Sequence, residues 1–411
     1  VVNELWSKLT QTKMIEESRG PVQTAFYEAV YRVVYLTGHS TSDRGLYLIY
    51  RYCLWSLLGV LILGEVWCLV NESDLDGILV TFNVVLIQAI AIYRYNNMIN
   101  HKSFFENLAA ALQSSYFDIS TESRKNILKY WIACNEKFLK ILLALGSCTL
   151  SAWYIYPLVD DIEYNLVVAV RFPFEYETPT RYPIVYVLTA IAFNFSSFFV
   201  MVTDLIMQAH LLNLLCQFAV LADCFENLLT DCRVGFCGVD SNQLLLDKHF
   251  TGIYNKRLEE LVIQHKFLLS KTIELRSILS IPMLFQFAVS TMLICFVAYQ
   301  VTETISVSIT KCLMSLLYLG YNMFQLFILC RWCDEIKTQC ENIRDAVYSS
   351  GWESGVGAAR GVRARLLLVL TRAGKPVVLS AGGIYDLSLT SYTTLVKTSY
   401  SALTVLLRMR Q

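Results

Sequence analysis

Long apolar runs separated by short charged stretches make up most of this chain. Seven runs approach or exceed the ~20 residues that a helix needs to cross a bilayer. They are Leu46–Leu69, Asp76–Tyr93, Phe138–Pro157, Pro183–Leu212, Leu279–Val301, Val307–Cys330 and Gly383–Leu407. Aromatic residues sit at their ends as interface anchors would, with Tyr50, Tyr52, Trp55 and Trp67 on the first, then Trp153, Tyr154, Tyr156 and Tyr186. Only Asp74 and Asp76 define the start of the second run, so a soluble core helix competes there. The pattern predicts an all-α membrane protein with seven transmembrane helices.

The seventh run differs from the others. Leu389, Val396 and Leu403 recur every seven residues and give it one apolar line. Its other faces carry Ser388, Thr390, Ser391, Thr393, Thr394, Lys397, Thr398, Ser399, Ser401 and Thr404. An unpaired charge in lipid costs about 2.5–3.5 kcal/mol, so such a helix needs protein on one side and is expected to meet water on the other. It reads as a pore-lining helix.

Helical periodicity also continues beyond the spans. Leu211, Leu215, Phe218, Ala222, Phe225 and Leu229 extend the fourth, and Leu258, Leu261, Val262, His265, Leu268, Leu269 and Thr272 lead into the fifth. Ile336, Cys340, Ile343 and Val347 follow the sixth, and Leu366–Leu370 precedes the seventh. Stripes flanked by Glu259, Glu260, Lys266 and Lys271 seek partner helices rather than lipid, either within the chain or in a neighbouring subunit. The expected organisation is a cytosolic N-terminal segment (1–45), spans one to four (46–212) and a cytosolic extension of helices four and five (213–278). Spans five and six (279–330), a cytosolic anchor helix and linker (331–382), and the pore helix with a short outer tail (383–411) complete it. Gly235–Gly238 and Gly351–Gly361 read as flexible loops.

Charge sets the orientation. Lys8, Lys13, Arg19, Arg32 and Arg44 precede the first span, and Arg94, Lys102, Arg124, Lys125 and Lys129 follow the second. The alternate loops offer only Arg171 and Arg181, among Asp160, Asp161, Glu163, Glu175 and Glu177. The N-terminus is therefore expected inside and the C-terminus outside, an inverted topology relative to a G-protein-coupled receptor. Neither a D-R-Y after span three nor an N-P-x-x-Y in span seven is present. The chain begins with Val1, so a residue or more is expected to precede it.

Composition agrees with a membrane protein: 55% of residues are hydrophobic and 17% charged, against about 25% charged in soluble domains. Zero net charge gives nucleic acid no footprint. Five scattered histidines and a lone Cys330-Arg-Trp-Cys333 lack metal-ligand spacing, so no cofactor, metal or enzyme chemistry is expected. Of two sequons, Asn71-Glu-Ser73 lies on the expected outer face as a candidate glycosylation site, whereas Asn194-Phe-Ser196 falls inside span four.

Several motifs resemble the insect odorant receptor family. They are Leu366-Leu-Leu-Val-Leu-Thr-Arg-Ala-Gly-Lys-Pro-Val-Val-Leu-Ser-Ala-Gly-Gly383 and Ser388-Leu-Thr-Ser-Tyr-Thr-Thr-Leu-Val-Lys-Thr-Ser-Tyr-Ser401 at the C-terminus, with Arg171-Phe-Pro-Phe-Glu-Tyr176, Tyr182-Pro183 and Tyr348-Ser-Ser-Gly-Trp352 further up the chain. The resemblance implies a subunit of a tetrameric, ligand-gated, non-selective cation channel in the plasma membrane of olfactory neuron dendrites. Its partners would be a small volatile ligand, membrane lipid and a common co-receptor subunit. The chain resembles the ligand-tuning subunit, because 212–275 is short where the co-receptor carries a large insertion. A gustatory receptor of the same architecture is the nearest alternative, and a G-protein-coupled receptor would need the N-terminus outside. A transporter would show paired broken repeats, which are not found.

By the family's pattern the ligand site lies in the outer halves of spans two to six, as an aromatic-lined cavity with few polar groups. Ser147, Leu150 and Tyr154 share one face of span three, with Ser151 beside it. Tyr318 and Tyr321 in span six resemble the family's paired aromatics. Phe82, Leu86, Thr189, Phe193 and Phe296 are expected to complete the walls, with ordinary helix packing as the competing reading. Alignment to the family places a hydrophobic gate at Leu395, with Ser399 and Ser391 one turn to either side. Lys397 is expected to face a neighbour or an interface, and Asp204 to be a structural hydrogen-bond partner inside span four.

Overall fold

The computed structural model describes residues 10–18, 20–73, 75–159, 164–233, 236, 247–304, 308–354 and 361–410. Lys8, Arg19, Asp74, Asp160, Asp161, Glu163, Gly235, Gly238, Val307, most of 351–361 and both terminal residues lie outside the described residues. The elements run α1 (Lys13–Glu16), α2 (Pro21–Leu36), α3 (Leu46–Asn71), α4 (Leu75–Asn100), α5 (Lys102–Ala110) and α6 (Glu122–Val159). They continue with α7 (Tyr182–Glu226), α8 (Leu228–Cys232), α9 (Lys248–Thr304), α10 (Ile309–Tyr348) and α11 (Val362–Ala373). A short hairpin, β1 (Ser380–Ala381) and β2 (Tyr385–Asp386), then leads into α12 (Leu389–Arg410).

Among the described residues, six helices, α3, α4, α6, α7, α9 and α10, are long and apolar enough to cross a membrane. Their outward residues are apolar too: Val60, Leu63 and Trp67 on α3 and Ile184, Leu188 and Ile191 on α7 are exposed where lipid tails would replace water. The seventh, α12, falls short on apolarity, although its 22 residues span about 33 Å. Local signals set the starts. Pro183 occupies the first turn of α7, where its missing N–H costs nothing, and the Ser308 hydroxyl accepts the Lys311 N–H to cap α10.

Two expected boundaries move. Helix α4 runs on to Asn100, so Arg94, expected in a basic loop, lies buried within a helix. The stretch from Gly383 is not yet helical. Gly382 and Gly383 take φ of 62° and 71°, the left-handed region that turns the hairpin. A Cβ on Gly382 would also stand 2.6 Å from Leu284 Cδ2, so the hairpin sits tight against α9.

Helix α7 is the centre of the bundle and packs chiefly on α6 and α10. Its inner stripe is used up inside the chain: Leu211 is 1% exposed, and Leu215, Phe218 and Phe225 are 0% exposed. Packing within the chain, one of the two roles expected of this stripe, therefore accounts for these four residues, while Ala222 and Leu229 stay half-buried. The apolar residues still exposed nearby are Leu367 and Leu368 on α11 and Ile263 and Phe267 on α9.

An ionic cluster ties the start of α6 to the end of α7, to α8 and to α9. The Arg124 guanidinium, 1% exposed, donates to Asp118 at 2.7 Å, to Asp223 at 2.8 Å and to Asp231. Arg257 on α9 closes the cluster onto Asp118. Burial alone would raise the Asp118 carboxyl, but hydrogen bonds at Ser120 and the charges of Arg124 and Arg257 together hold it below its ordinary value.

Pro282 breaks the hydrogen-bond ladder within α9. Having no N–H, it frees the carbonyl of Ile278, which accepts from Asn97 Nδ2 on α4 at 3.1 Å. The Ser280 carbonyl on the same turn accepts the Gly382 N–H at 2.8 Å. One irregular turn of α9 thus contacts both α4 and the hairpin that starts α12.

Candidate functional site

Four helices line a cavity of about 70 Å³ in the half of the bundle nearer the start of α7. From α6 come Gly146, Thr149, Leu150 and Trp153, spaced i, i+3, i+4 and i+7 on one face. From α7 come Phe193, Ser196, Val200 and Met201, and from α4 Val84, Ile87 and Gln88. Helix α10 contributes Tyr318 and Tyr321. The rings interlock, with Trp153 5.0 Å from Phe193 and 5.9 Å from Tyr318 in an edge-on contact. Gly146 makes the close approach possible, since a Cβ there would lie 2.3 Å from Met201 Sδ.

The walls carry little polarity, and part of it is available. Thr149 spends its hydroxyl on Leu145 O at 2.9 Å. The Tyr318 and Tyr321 hydroxyls are buried without a hydrogen-bond partner among the described residues. An aromatic slot with two free phenols suits a small, mostly apolar guest bearing a hydrogen-bonding group.

Of the residues expected there, Leu150, Phe193, Tyr318 and Tyr321 line this cavity. Ser147 and Ser151 lie on the exposed side of α6, where the Ser151 hydroxyl donates to Ser147 O. The Tyr154 hydroxyl donates to Asn194 Oδ1 at 3.1 Å, outside the lining. Phe82 and Leu86 are half-buried on another side of α4, and Thr189 is buried one turn above Phe193. Phe296 packs instead beside Cys295, Tyr299 and Leu403, where α9 meets α12. The lining face of α6 is thus rotated by one residue from the expected one. Gly146, Thr149 and Trp153 were missed, although a glycine at helical spacing from a tryptophan was the available signal.

Directly below lies a polar crossing of four spans. Arg94 on α4 pairs with Asp204 on α7 at 2.5 Å and donates to Gln286 on α9 at 3.1 Å. Gln325 on α10 donates to the other Asp204 oxygen. Asp204 has the structural partnership expected of it. The pair is buried, so each charge is neutralised where lipid or protein would otherwise leave it unsolvated.

The polar helix α12 packs on α9 and α10. Leu395 and Leu403 are buried, and the Ser399 hydroxyl, 1% exposed, donates to Thr291 O on α9 at 3.1 Å. These three recur every four residues and form the helix's inward face. Leu395 and Ser399 therefore turn toward the rest of the chain, and Ser391 is half-buried. The face left open carries Thr394, Lys397, Thr398 and Ser401. Its hydroxyls donate to carbonyls one turn back, as Thr398 does to Thr394 O at 2.9 Å, so the row tolerates either lipid or water. Asn71, the sequon residue, is exposed, with its amide donating to Trp67 O at 2.8 Å.

The 7tm odorant receptor family profile matches residues 75–400, from α4 through most of α12. The chain belongs to the odorant receptor family. Odorant receptor 13a of Drosophila melanogaster is 23% identical over 88% of this chain and 87% of its own length. Odorant receptor Or2 of Anopheles gambiae is 27% identical, over 43% of this chain and less than half, 45%, of that relative. The olfactory receptor OR5 of Machilis hrabei, solved in complex with eugenol, shares the fold at a TM-score of 0.78. It is 18% identical, with 95% of this chain and 100% of that chain covered. The resemblance of the C-terminal motifs thus identified the right family, ahead of the gustatory alternative. This odorant receptor chain has the helical membrane architecture expected from its apolar runs.

Proposed function

We propose that this chain is the ligand-tuning subunit of an odorant-gated, non-selective cation channel. It works with a co-receptor subunit as a heterotetramer in the plasma membrane of olfactory neuron dendrites. The observation that carries the reading is the aromatic cavity with its two unpartnered phenols in the outer bundle. Eugenol, bound by the structurally similar OR5, is a small aromatic of the kind this slot would accept. The chain's N-terminus lies inside, consistent with the basic residues Lys102, Lys125 and Lys129 on the inner ends of α5 and α6.

In this proposal the open face of α12 lines the ion path, and the exposed Leu367 and Leu368 of α11 meet neighbouring subunits. A ligand opens the channel by binding more tightly to the open arrangement of the helices than to the closed one. The test is current recording from cells that express the chain with a co-receptor, challenged with a volatile panel without GTP in the pipette. Rapid currents carrying sodium and potassium alike are expected. A GTP requirement, or labelling of a C-terminal tag only after permeabilisation, would overturn the channel reading.

A further inference from the structure

Above the aromatic slot lies a second cavity of about 190 Å³, under the outer-loop segment Asn165–Ala169. It shares Val84, Trp153 and Tyr318 with the slot, so the two adjoin. Its character is different. Glu65 on α3 lines it, is 1% exposed, and forms no ion pair among the described residues. One carboxylate oxygen accepts from Gln88 Nε2 at 3.3 Å, and the other has no partner among the described residues. Asn83 on α4, 2% exposed, lines the same space with neither amide atom paired. The Gln88 carbonyl oxygen, at the junction with the slot, is also unpartnered.

A buried carboxylate without a cation is among the costliest groups a membrane bundle can hold, and intramembrane charges usually mark a ligand or ion path. Three acceptor oxygens without a partner among the described residues belong to the two adjoining cavities: Glu65 Oε2 and Asn83 Oδ1 on residues lining this one, and Gln88 Oε1 on a residue lining the slot. A primary ammonium offers three N–H donors and one positive charge. Lys311 also lines the cavity, but it is half-buried and two turns nearer the start of α10 than Tyr318. We infer that this vestibule is a head-group subsite for a small amphiphilic primary amine, whose ammonium meets Glu65 while its apolar tail enters the aromatic slot. The inference rests on the receptor reading above and names the ligand class of that same site.

The test compares 2-phenylethylamine, 2-phenylethanol and ethylbenzene, which share a ring and differ in head group, by dose–response currents of the co-assembled channel. On the unmodified chain the amine should act at a concentration at least about tenfold lower than the alcohol, as a charge-assisted hydrogen bond warrants. Glu65→Gln keeps the shape and removes the charge, so it should erase that advantage while leaving the alcohol response within about threefold. Equal potency of amine and alcohol on the unmodified chain overturns the inference without any variant. So does an amine advantage that survives in Glu65→Gln. Responses to the alcohol and ethylbenzene alone would discard the amine but keep the receptor. Silence toward the whole volatile panel from a chain detected at the cell surface would remove the receptor reading, and this inference with it.

Discussion

Replacing Arg124 with methionine removes the one cation that three carboxylates share. The side chain is 1% exposed and joins Asp118, Asp223 and Asp231, which come from the α5–α6 connection, α7 and α8. Methionine fills much of the volume but leaves Asp223 and Asp231 without the guanidinium that binds them, while Arg257 still neutralises Asp118. Breaking a buried ion pair from one side costs about 3–5 kcal/mol, a large share of the ~5–15 kcal/mol by which folded domains are stable. Thermal melting of the detergent-purified protein, followed by tryptophan fluorescence, should therefore fall by on the order of 10 °C. Arg124→Lys should fall in between, because an ammonium cannot fork to three partners in fixed geometry. The exposed Lys140–Glu136 pair on the same helix is the control, and Lys140→Met should change stability by no more than about 0.5 kcal/mol. If Arg124→Met melts together with Lys140→Met, the cluster is a surface decoration and the reasoning fails.

Three further outcomes are expected. Gly146→Val places methyl groups where Met201 Sδ already sits, so the ligand dose–response should shift by about tenfold or more with reversal potential unchanged; altered ion selectivity would contradict the cavity assignment. Thr394→Val and Lys397→Gln should alter conductance or permeability ratios, whereas Leu395→Ala should instead lower thermal stability by about 2–5 kcal/mol as a core truncation; the opposite pattern would return the gate to Leu395. His265, in the inner extension of α9, is held neutral, with burial first and Arg372 second lowering its pKa from 6.5 to about 4. The unfolded chain then takes up the proton first, so stability present above pH 6.5 is lost as pH falls toward 4, by up to about 3 kcal/mol. Melting at pH 7.5 and pH 5 should differ less in His265→Phe than in the parent, and an unchanged difference would refute the assignment.

The helices were legible because a bilayer allows few alternatives: runs of spanning length must form helices, and aromatic ends mark where they stop. The inner periodicities were legible for the same reason. Facing direction was not. In 389–404 the apolar line that stands out is Leu389, Val396 and Leu403, and the hydroxyls around it do not reveal that Leu395, Ser399 and Leu403 form the buried face. Arg94 read as a loop charge because its partner Asp204 lies 110 residues away, and only tertiary contact joins them. In the cavity, Tyr318 and Tyr321 stood out as a spaced pair. Trp153 had been assigned to the interface, where tryptophan is commonly found, and the rotation of α6 depends on Gly146 meeting Met201 rather than on any periodic signal.

The long helix α9 has a mechanical consequence. Its 57 residues extend about 85 Å, and the irregular turn at Pro282 lies about three-fifths of the way along from Lys248. Held there by Asn97 and Gly382, the rod has a fulcrum with a long inner arm and a short outer one. A displacement of 1 Å at the outer end, beside the ligand helices, would swing the inner end by roughly 1.5 Å in the opposite sense if the rod stayed stiff. Since Gly382 opens the turn that aims α12, the same pivot that magnifies the motion also redirects the polar helix.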